Sequence, residues 1–270
     1  MDAFVENYCE FPVAMRQPMW KIWHKLLIRF DKDISANFMN YGYQGLNGDK
    51  PLSLLNNDEK NRYCIQLYDH VVEKADLYYK DVLEVGSGRG GGAHYLSRYY
   101  NPKSYTALDI SKSIIKFCNL YYNEPGLSFV QGSATNLPFE NDSFDVVVNV
   151  ESARCYSDVQ KFFNETYRVL RNNGTFCFAD MIEPGKLETI KHQLRMAGFV
   201  IEHKNDITGN VVAALNNDHQ RREELIDKKV PGLFRKAFKQ FAGTKGTERY
   251  ESFKNGKFLY YNFTLKKMLD

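Results

Sequence analysis

Glu84 stands two residues before Gly86-Ser87-Gly88-Arg89-Gly90, and Asp109 follows 23 residues after Gly86. Glycines in such a turn permit positive φ and let backbone approach a ligand closely, and an acid at the end of the next strand accepts hydrogen bonds from ribose hydroxyls. The chemistry is nucleotide binding. Gly86, Gly88 and Gly91 also fit G-x-G-x-x-G, so the glycines alone leave the cofactor open. A second group of interest is Glu151-Ser152-Ala153-Arg154, which follows the apolar run Phe144 to Val150. An arginine stays protonated and takes no proton, so Arg154 either stabilises a developing anion or pairs with Glu151 as an ordinary i, i+3 ion pair on the surface.

These residues need a scaffold that brings strand ends together. From Asp81 to about Asn205, short apolar runs alternate with amphipathic stretches, the rhythm of right-handed βαβ units. Strands are expected at Val82 to Val85, Ser104 to Leu108, Leu127 to Gln131, Asp145 to Asn149, Thr175 to Ala179 and Phe199 to Lys204. Val159, Phe162, Phe163, Thr166, Tyr167 and Leu170 form one helical stripe, with Ser157 and Gln160 as a capping box at its start and Arg171 to Gly174 as the turn that ends it. Leu187, Ile190, Leu194 and Ala197 mark a further helix. The alternating run Lys257 to Lys266 reads as a seventh strand returning to the sheet after polar helices at Gln220 to Lys229 and Leu233 to Phe241. The fold class is therefore α/β: a Rossmann-like, doubly wound, seven-stranded, mostly parallel sheet. A helical arm and lid occupy 1–75, with helices around Trp20 to Phe30 and Asn61 to Lys74, the nucleotide-binding core 76–206, a helical cap 207–253 and the last strand 254–270.

With 270 residues and 43% apolar content, the chain supports a full core, and its net charge of +3 sets up no field that argues for nucleic acid. Five widely spaced cysteines, including Cys9, read as free thiols of a reducing compartment, and no apolar run reaches a membrane span, so a cytoplasmic protein is expected. His70, His192, His203 and His219 show no ligand spacing, while His24 and His94 read as packed residues; no metal is implied. Lys229, Arg235, Lys236 and Lys239 lie beside Leu233, Phe234, Phe238 and Phe241, a combination suited to weak contact with a lipid surface.

Further motifs narrow the cofactor. Gly132-Ser133 leads into Leu137-Pro138-Phe139, then Phe144-Asp145, and later Tyr167-Arg168-Val169-Leu170-Arg171-x-x-Gly174. With Glu84 to Gly90 and Asp109, this ordered set resembles class I S-adenosylmethionine (SAM)-dependent methyltransferases. The resemblance implies SAM as cofactor, the methionine part over Gly86, Ser87 and Gly88, and the ribose at Asp109. Glu84, Ile110 and Asn149 complete the implied set. Ser133 occupies the place of an adenine-binding Asp in many relatives, and the Ala134 amide still reaches the ring.

Across nearly the whole chain from about Asn37, Phe38 to Tyr43, Val85 to Ala93, Asn149 to Ser152, Asp206-Ile207-Thr208-x-Asn210-Val211, Asp218-x-x-Arg221-Arg222 and Tyr250-Glu251-x-Phe253 resemble the phthiotriol/phenolphthiocerol dimycocerosate methyltransferase group. That resemblance implies O-methylation of a small hydrophobic or aromatic acceptor (polyketide, phenolic or lipid-like), with Tyr41 and Tyr43 flanking Gly42 as a lid over the cofactor. One position departs: where the group commonly reads Glu-x-x-His, with His as the base, this chain has Arg154. Alignment of nucleophile, carbon and sulfur supplies about 7–11 kcal/mol, and a general base roughly 3–5 kcal/mol. Loss of a base is thus survivable, least harmful for an acidic acceptor whose oxyanion Arg154 would stabilise. Two alternatives stand beside this reading: a SAM-binding protein with weak or lost catalysis, and a nicotinamide oxidoreductase, which leaves Leu137 to Phe139 and Phe144-Asp145 without a role. Base methylation of nucleic acid is disfavoured, since the loop after the fourth strand lacks the Asn/Asp-Pro-Pro-aromatic run and no basic stripe is present.

Overall fold

The computed structural model describes residues 36–46, 48 and 52–268. The expected helix around Trp20 to Phe30, Cys9 and His24 lie outside the described residues. Strands β1 (Asp81–Val85), β2 (Ser104–Asp109), β3 (Leu127–Gln131), β4 (Phe144–Val150), β5 (Leu170–Ile182), β6 (Phe199–Asp206) and β7 (Leu259–Lys267) form one sheet in the order β3-β2-β1-β4-β5-β7-β6. The first five are parallel, and β7 runs antiparallel to both β5 and β6. All seven expected strands are present.

Both faces of the sheet are covered, so its central strands are near-continuous apolar runs such as Val146-Val147-Val148. Side chains alternate across the pleat. Val82, Val146 and Val148 pack with Leu67, Val71 and Tyr95, from α1 (Arg62–Val72) and α2 (Gly91–Tyr99). Leu83, Val85 and Val147 face the other way, onto Phe162 and Phe163 of the helix Val159–Val169, with Phe176 and Phe178 of β5. Strand order reverses between β1 and β4, and the crevice at the carboxyl ends of strands about such a switch point is where open α/β sheets bind ligands. The glycine turn after β1 and the loop after β4 face each other there.

The remaining helices in chain order are α3 (Lys112–Tyr121), α4 (Val159–Val169), α5 (Leu187–Met196), α6 (Thr208–Asn217), α7 (His219–Lys229), α8 (Gly232–Ala242) and α9 (Glu248–Lys254). Two local expectations are corrected. Asp158, in extended backbone, is the N-cap of α4 and accepts from Lys161 N at 2.9 Å. The Ser157–Gln160 box is not formed; Gln160 donates instead to Asn164 Oδ1 and Gln193 O. Arg171 to Gly174 do not separate helix from strand either. They lie within β5 as an irregularity, with Asn173 at φ 61° and a register slip between Phe144 and Val146.

Helices α6 to α9 lie between β6 and β7. Ile226, Val230, Ala237 and Phe238 form a small core against which Phe234, Phe241 and Met39 pack. The aromatic face of α8 is thus turned inward, Leu233 alone of that stripe's large apolar residues is strongly exposed, and Lys239 pairs with Glu223 and Asp227. The aromatic half of that stripe therefore closes the cap. Among the described residues, no helix is long and apolar enough to cross a membrane, and Cys64, Cys118, Cys155 and Cys177 are buried free thiols.

Candidate active site

A cleft of about 1000 Å³ opens at the carboxyl edge of β1, β2 and β4. Of the residues singled out in the sequence, Gly86, Ser87, Gly88, Asp109, Ile110, Ser133, Ala134, Glu151 and Arg154 line it. The turn is stitched to β2 by Gly86 N and Ser87 N, which both donate to Leu108 O at 2.8 and 3.0 Å. Gly86 has φ 79°, and a Cβ there would stand 2.3 Å from Ser152 Oγ, so glycine is demanded twice over. Asp109 accepts from Gly88 N at 3.1 Å and Ser111 N at 2.9 Å, one bond on each oxygen, and burial pushes its carboxyl up to about 6. Ser133 Oγ lies 3.1 Å from Thr135 Oγ1.

The loop after β4 carries the second group. Glu151 adopts φ 54°, a left-handed conformation that costs a non-glycine residue on the order of 1–3 kcal/mol. Its Oε1 accepts from Tyr41 N at 2.8 Å and Tyr260 OH at 2.9 Å, while the buried Oε2 has no hydrogen-bond partner. Burial raises its carboxyl to about 7, against the pull of Arg154, whose Nη2 lies 3.9 Å from Oε2. Arg154 itself is held by Asp180, through Nη1 to Oδ1 and backbone N to Oδ2 at 3.1 Å. This corrects the surface-pair expectation for Arg154. It is not a solvated surface partner of Glu151, since its side chain is 16% exposed, and its charge is already answered by a carboxylate that is 3% exposed.

A methyltransferase-domain family model matches residues 83–178. The chain is 37% identical over 250 residues to the phthiotriol/phenolphthiotriol dimycocerosates methyltransferase of Mycobacterium tuberculosis, an overlap of 91% of this chain and 92% of that protein. The chain belongs to this family of class I SAM-dependent methyltransferases. It is also 37% identical over 225 residues to a fatty-acid O-methyltransferase of Mycolicibacterium smegmatis, covering 83% of this chain and 81% of that one. The fold is shared with the [4+2]-cyclase SpnF at a TM-score of 0.68 and 19% identity, covering 94% of this chain and 95% of that one.

SAM is the cofactor of this methyltransferase, and when bound it supplies a methyl group attached to a sulfonium leaving group. The cleft fits it: Ser87 Oγ is buried with no protein partner, and Asp109 lines the wall with one backbone donor on each oxygen.

Four residues expected at the cofactor do not line the cleft. Glu84 is fully buried on the pleat opposite Leu83 and Val85, and so it meets α1: Tyr68 OH donates to its Oε1 at 2.8 Å and Tyr105 OH to its Oε2 at 3.0 Å. Asn149 is also fully buried and braces the turn from below, donating to Val85 O at 2.8 Å and bonding Ser152 and Tyr156. Tyr41 packs edge-on against Phe253 at 5.1 Å, and Tyr43 stacks on His70 at 4.2 Å. Both rings are thus packed against the body of the methyltransferase. The neighbouring Phe38 to Asn40 line the cleft instead, and a Cβ at Gly88 would stand 2.5 Å from Met39 Cε.

Asp180, Tyr260 and Arg222 were not singled out for roles. Asp180 carried a readable signal, an acid directly after the buried run Thr175 to Ala179 at the ligand-binding edge. Arg222 explains the Asp218-x-x-Arg221-Arg222 motif: it donates to Asp218 Oδ2 at 2.8 Å, Asn40 O at 3.2 Å, Tyr41 O at 3.1 Å and Ala242 O at 3.1 Å. The cap thereby grips the segment whose Tyr41 N–H holds Glu151.

The buried Glu84 yields a stability test. Desolvation raises its carboxyl to about 7 although both tyrosines pull the other way. A carboxyl raised in the folded state favours folding fully below its ordinary value of 4.5, and that contribution is lost as pH rises through about 7. Glu84→Gln keeps the shape without this slope. In thermal or urea unfolding the variant is expected to gain on wild type between pH 5 and pH 8, by roughly 2 kcal/mol. A difference that stays constant with pH would show that Glu84 does not titrate in this range.

Proposed function

We propose that the methyltransferase methylates an oxygen of a hydrophobic, lipid-like or aromatic acceptor by in-line transfer, with Glu151 receiving the acceptor's proton. The observation that carries this reading is the Glu151 carboxylate at the cleft wall: Oε1 is saturated by Tyr41 N–H and Tyr260 OH, Oε2 has no hydrogen bond, and the group is raised to about 7. A base poised near neutrality suits proton removal from a hydroxyl as it becomes an ether or ester oxygen. In this reading Gly86 to Gly88 underlie the methionine portion, Asp109 takes the ribose hydroxyls, and Ser133 and Ala134 border the adenine. Arg154 and Asp180 act as a neutralised pair that fixes the loop, rather than as an oxyanion partner. The names of the relatives, a dimycocerosates methyltransferase and a fatty-acid O-methyltransferase, agree with an oxygen on a lipid-like molecule.

The test is product analysis with methyl-labelled SAM and matched acceptors of one chain length: a carboxylic acid, an alcohol, an alkylphenol and a primary amine. O-methyl products from at least one oxygen acceptor are expected. Exclusive N- or C-methylation, or tight SAM binding without turnover across the panel, would overturn the reading.

A further inference from the structure

A second cavity, of about 650 Å³, lies between α7, α8 and residues Ala36 to Asn40. It shares Phe38, Met39, Asn40 and Phe241 with the cofactor cleft, so the two spaces meet along that segment. The rest of its wall is mainly apolar, from Leu225, Ile226, Phe238 and Ala242.

Its polar wall groups are tied largely to other parts of the protein. Arg222 spends its donors on Asp218 and three carbonyls, and Arg221 makes two bonds of 2.6 Å to Asp218. Asn61 Nδ2 donates to Asn37 Oδ1 at 3.0 Å, and Asn40 Nδ2 to Cys64 O at 3.1 Å. Asn40 Oδ1, by contrast, is buried with no protein partner, on a residue that is 5% exposed and borders both spaces. A largely apolar cavity whose arginines are tied to Asp218 and backbone carbonyls favours hydrocarbon, and the buried acceptor Asn40 Oδ1 sits where it opens to the cleft.

We propose that this cavity holds the hydrocarbon chain of the acceptor, with Asn40 at the junction receiving a hydrogen bond from its polar head. The assignment rests on the proposed methylation of a lipid-like acceptor, and it makes α7 and α8 the elements that set chain length. Each methylene moved from water into such a cavity strengthens binding by about fourfold. Affinity therefore climbs with chain length until the cavity is full, then levels.

The experiment reads binding rather than turnover. Saturated primary alcohols of increasing length, whose hydroxyl can donate to Asn40 Oδ1, compete with a fluorescent fatty alcohol on the full-length protein saturated with S-adenosylhomocysteine. Leu225→Trp and Ala242→Met narrow the cavity from two separate half-buried positions, so a folding defect in one leaves the other informative. Both variants are expected to move the plateau to shorter chains, weakening the longest alcohols about tenfold or more and the shortest less than about twofold, with S-adenosylhomocysteine affinity unchanged. Equal weakening at every length, or a plateau that stays in place, would overturn the assignment. Because no product is measured, those outcomes are independent of whether oxygen is the methylated atom.

Discussion

Glu151→Gln is expected to lower kcat on a hydroxyl acceptor by about 10²- to 10⁴-fold, the range a positioned general base contributes. The amide keeps a carbonyl oxygen where Tyr41 N–H and Tyr260 OH donate, so the loop and the cofactor cleft keep their shape. What it loses is the ability to take a proton. The groups facing Glu151 are Arg154, which lowers its pKa, and Asp180, which raises it, with the Tyr41 amide and the Tyr260 hydroxyl also favouring the charged form. Burial outweighs the lowering contributions and leaves it at about 7. A base works only when deprotonated, so the wild-type rate is expected to rise with pH and level off above about 7. The variant lacks that limb. An acceptor that is already an anion at neutral pH needs no base, so the same substitution is expected to cost little on a carboxylate. A Glu151→Gln enzyme that keeps the wild-type rate and the same acid limb on an alcohol or phenol would remove Glu151 from proton transfer.

The contrast between what was legible and what was not follows the range of the interactions. The sheet was readable because its strands are buried on both faces, leaving apolar runs such as Val82 to Val85 and Val146 to Val148 separated by amphipathic helices. The glycine turn was readable because positive φ and close approach are local demands, met at Gly86 and Gly88. Glu84 and Asn149 were misplaced for a geometric reason. A motif gives the residue type, but strand alternation turns Glu84 toward Tyr68 and Tyr105, and Asn149 reaches sideways to Val85 O. For Arg154, the i, i+3 pairing with Glu151 is visible in the sequence, whereas the pairing with Asp180 exists only because β4 and β5 are neighbours. The bonds from Arg222 to Asn40 and Tyr41 span more than 180 residues and carry no local signature.

Arg154→Met is expected to destabilise the folded protein by about 3–5 kcal/mol, the usual cost of stranding one member of a buried ion pair. The methionine retains most of the apolar stem, so the loss comes from charge: Asp180 is 2% exposed, its Oδ1 is left with Met181 N at 2.8 Å, and Glu151 stands beside it. The double variant Arg154→Met/Asp180→Asn removes both charges and is expected to recover most of that stability. It also separates the two roles open to Arg154. For Glu151, Arg154 lowers the carboxyl more than Asp180 raises it, so deleting both keeps its burial and moves its acid limb upward, and turnover is compared on the plateau above that limb. If Arg154 serves only to neutralise Asp180 and fix the loop, the double variant turns over within about tenfold of wild type, close to the kinetic cost of a single neutral hydrogen bond. If instead its guanidinium stabilised a developing oxyanion, refolding would not restore the rate, and the double variant would remain down by about 10²-fold or more. Urea unfolding with kcat on the same preparations distinguishes these outcomes, because the oxyanion role is the one in which stability returns and turnover does not.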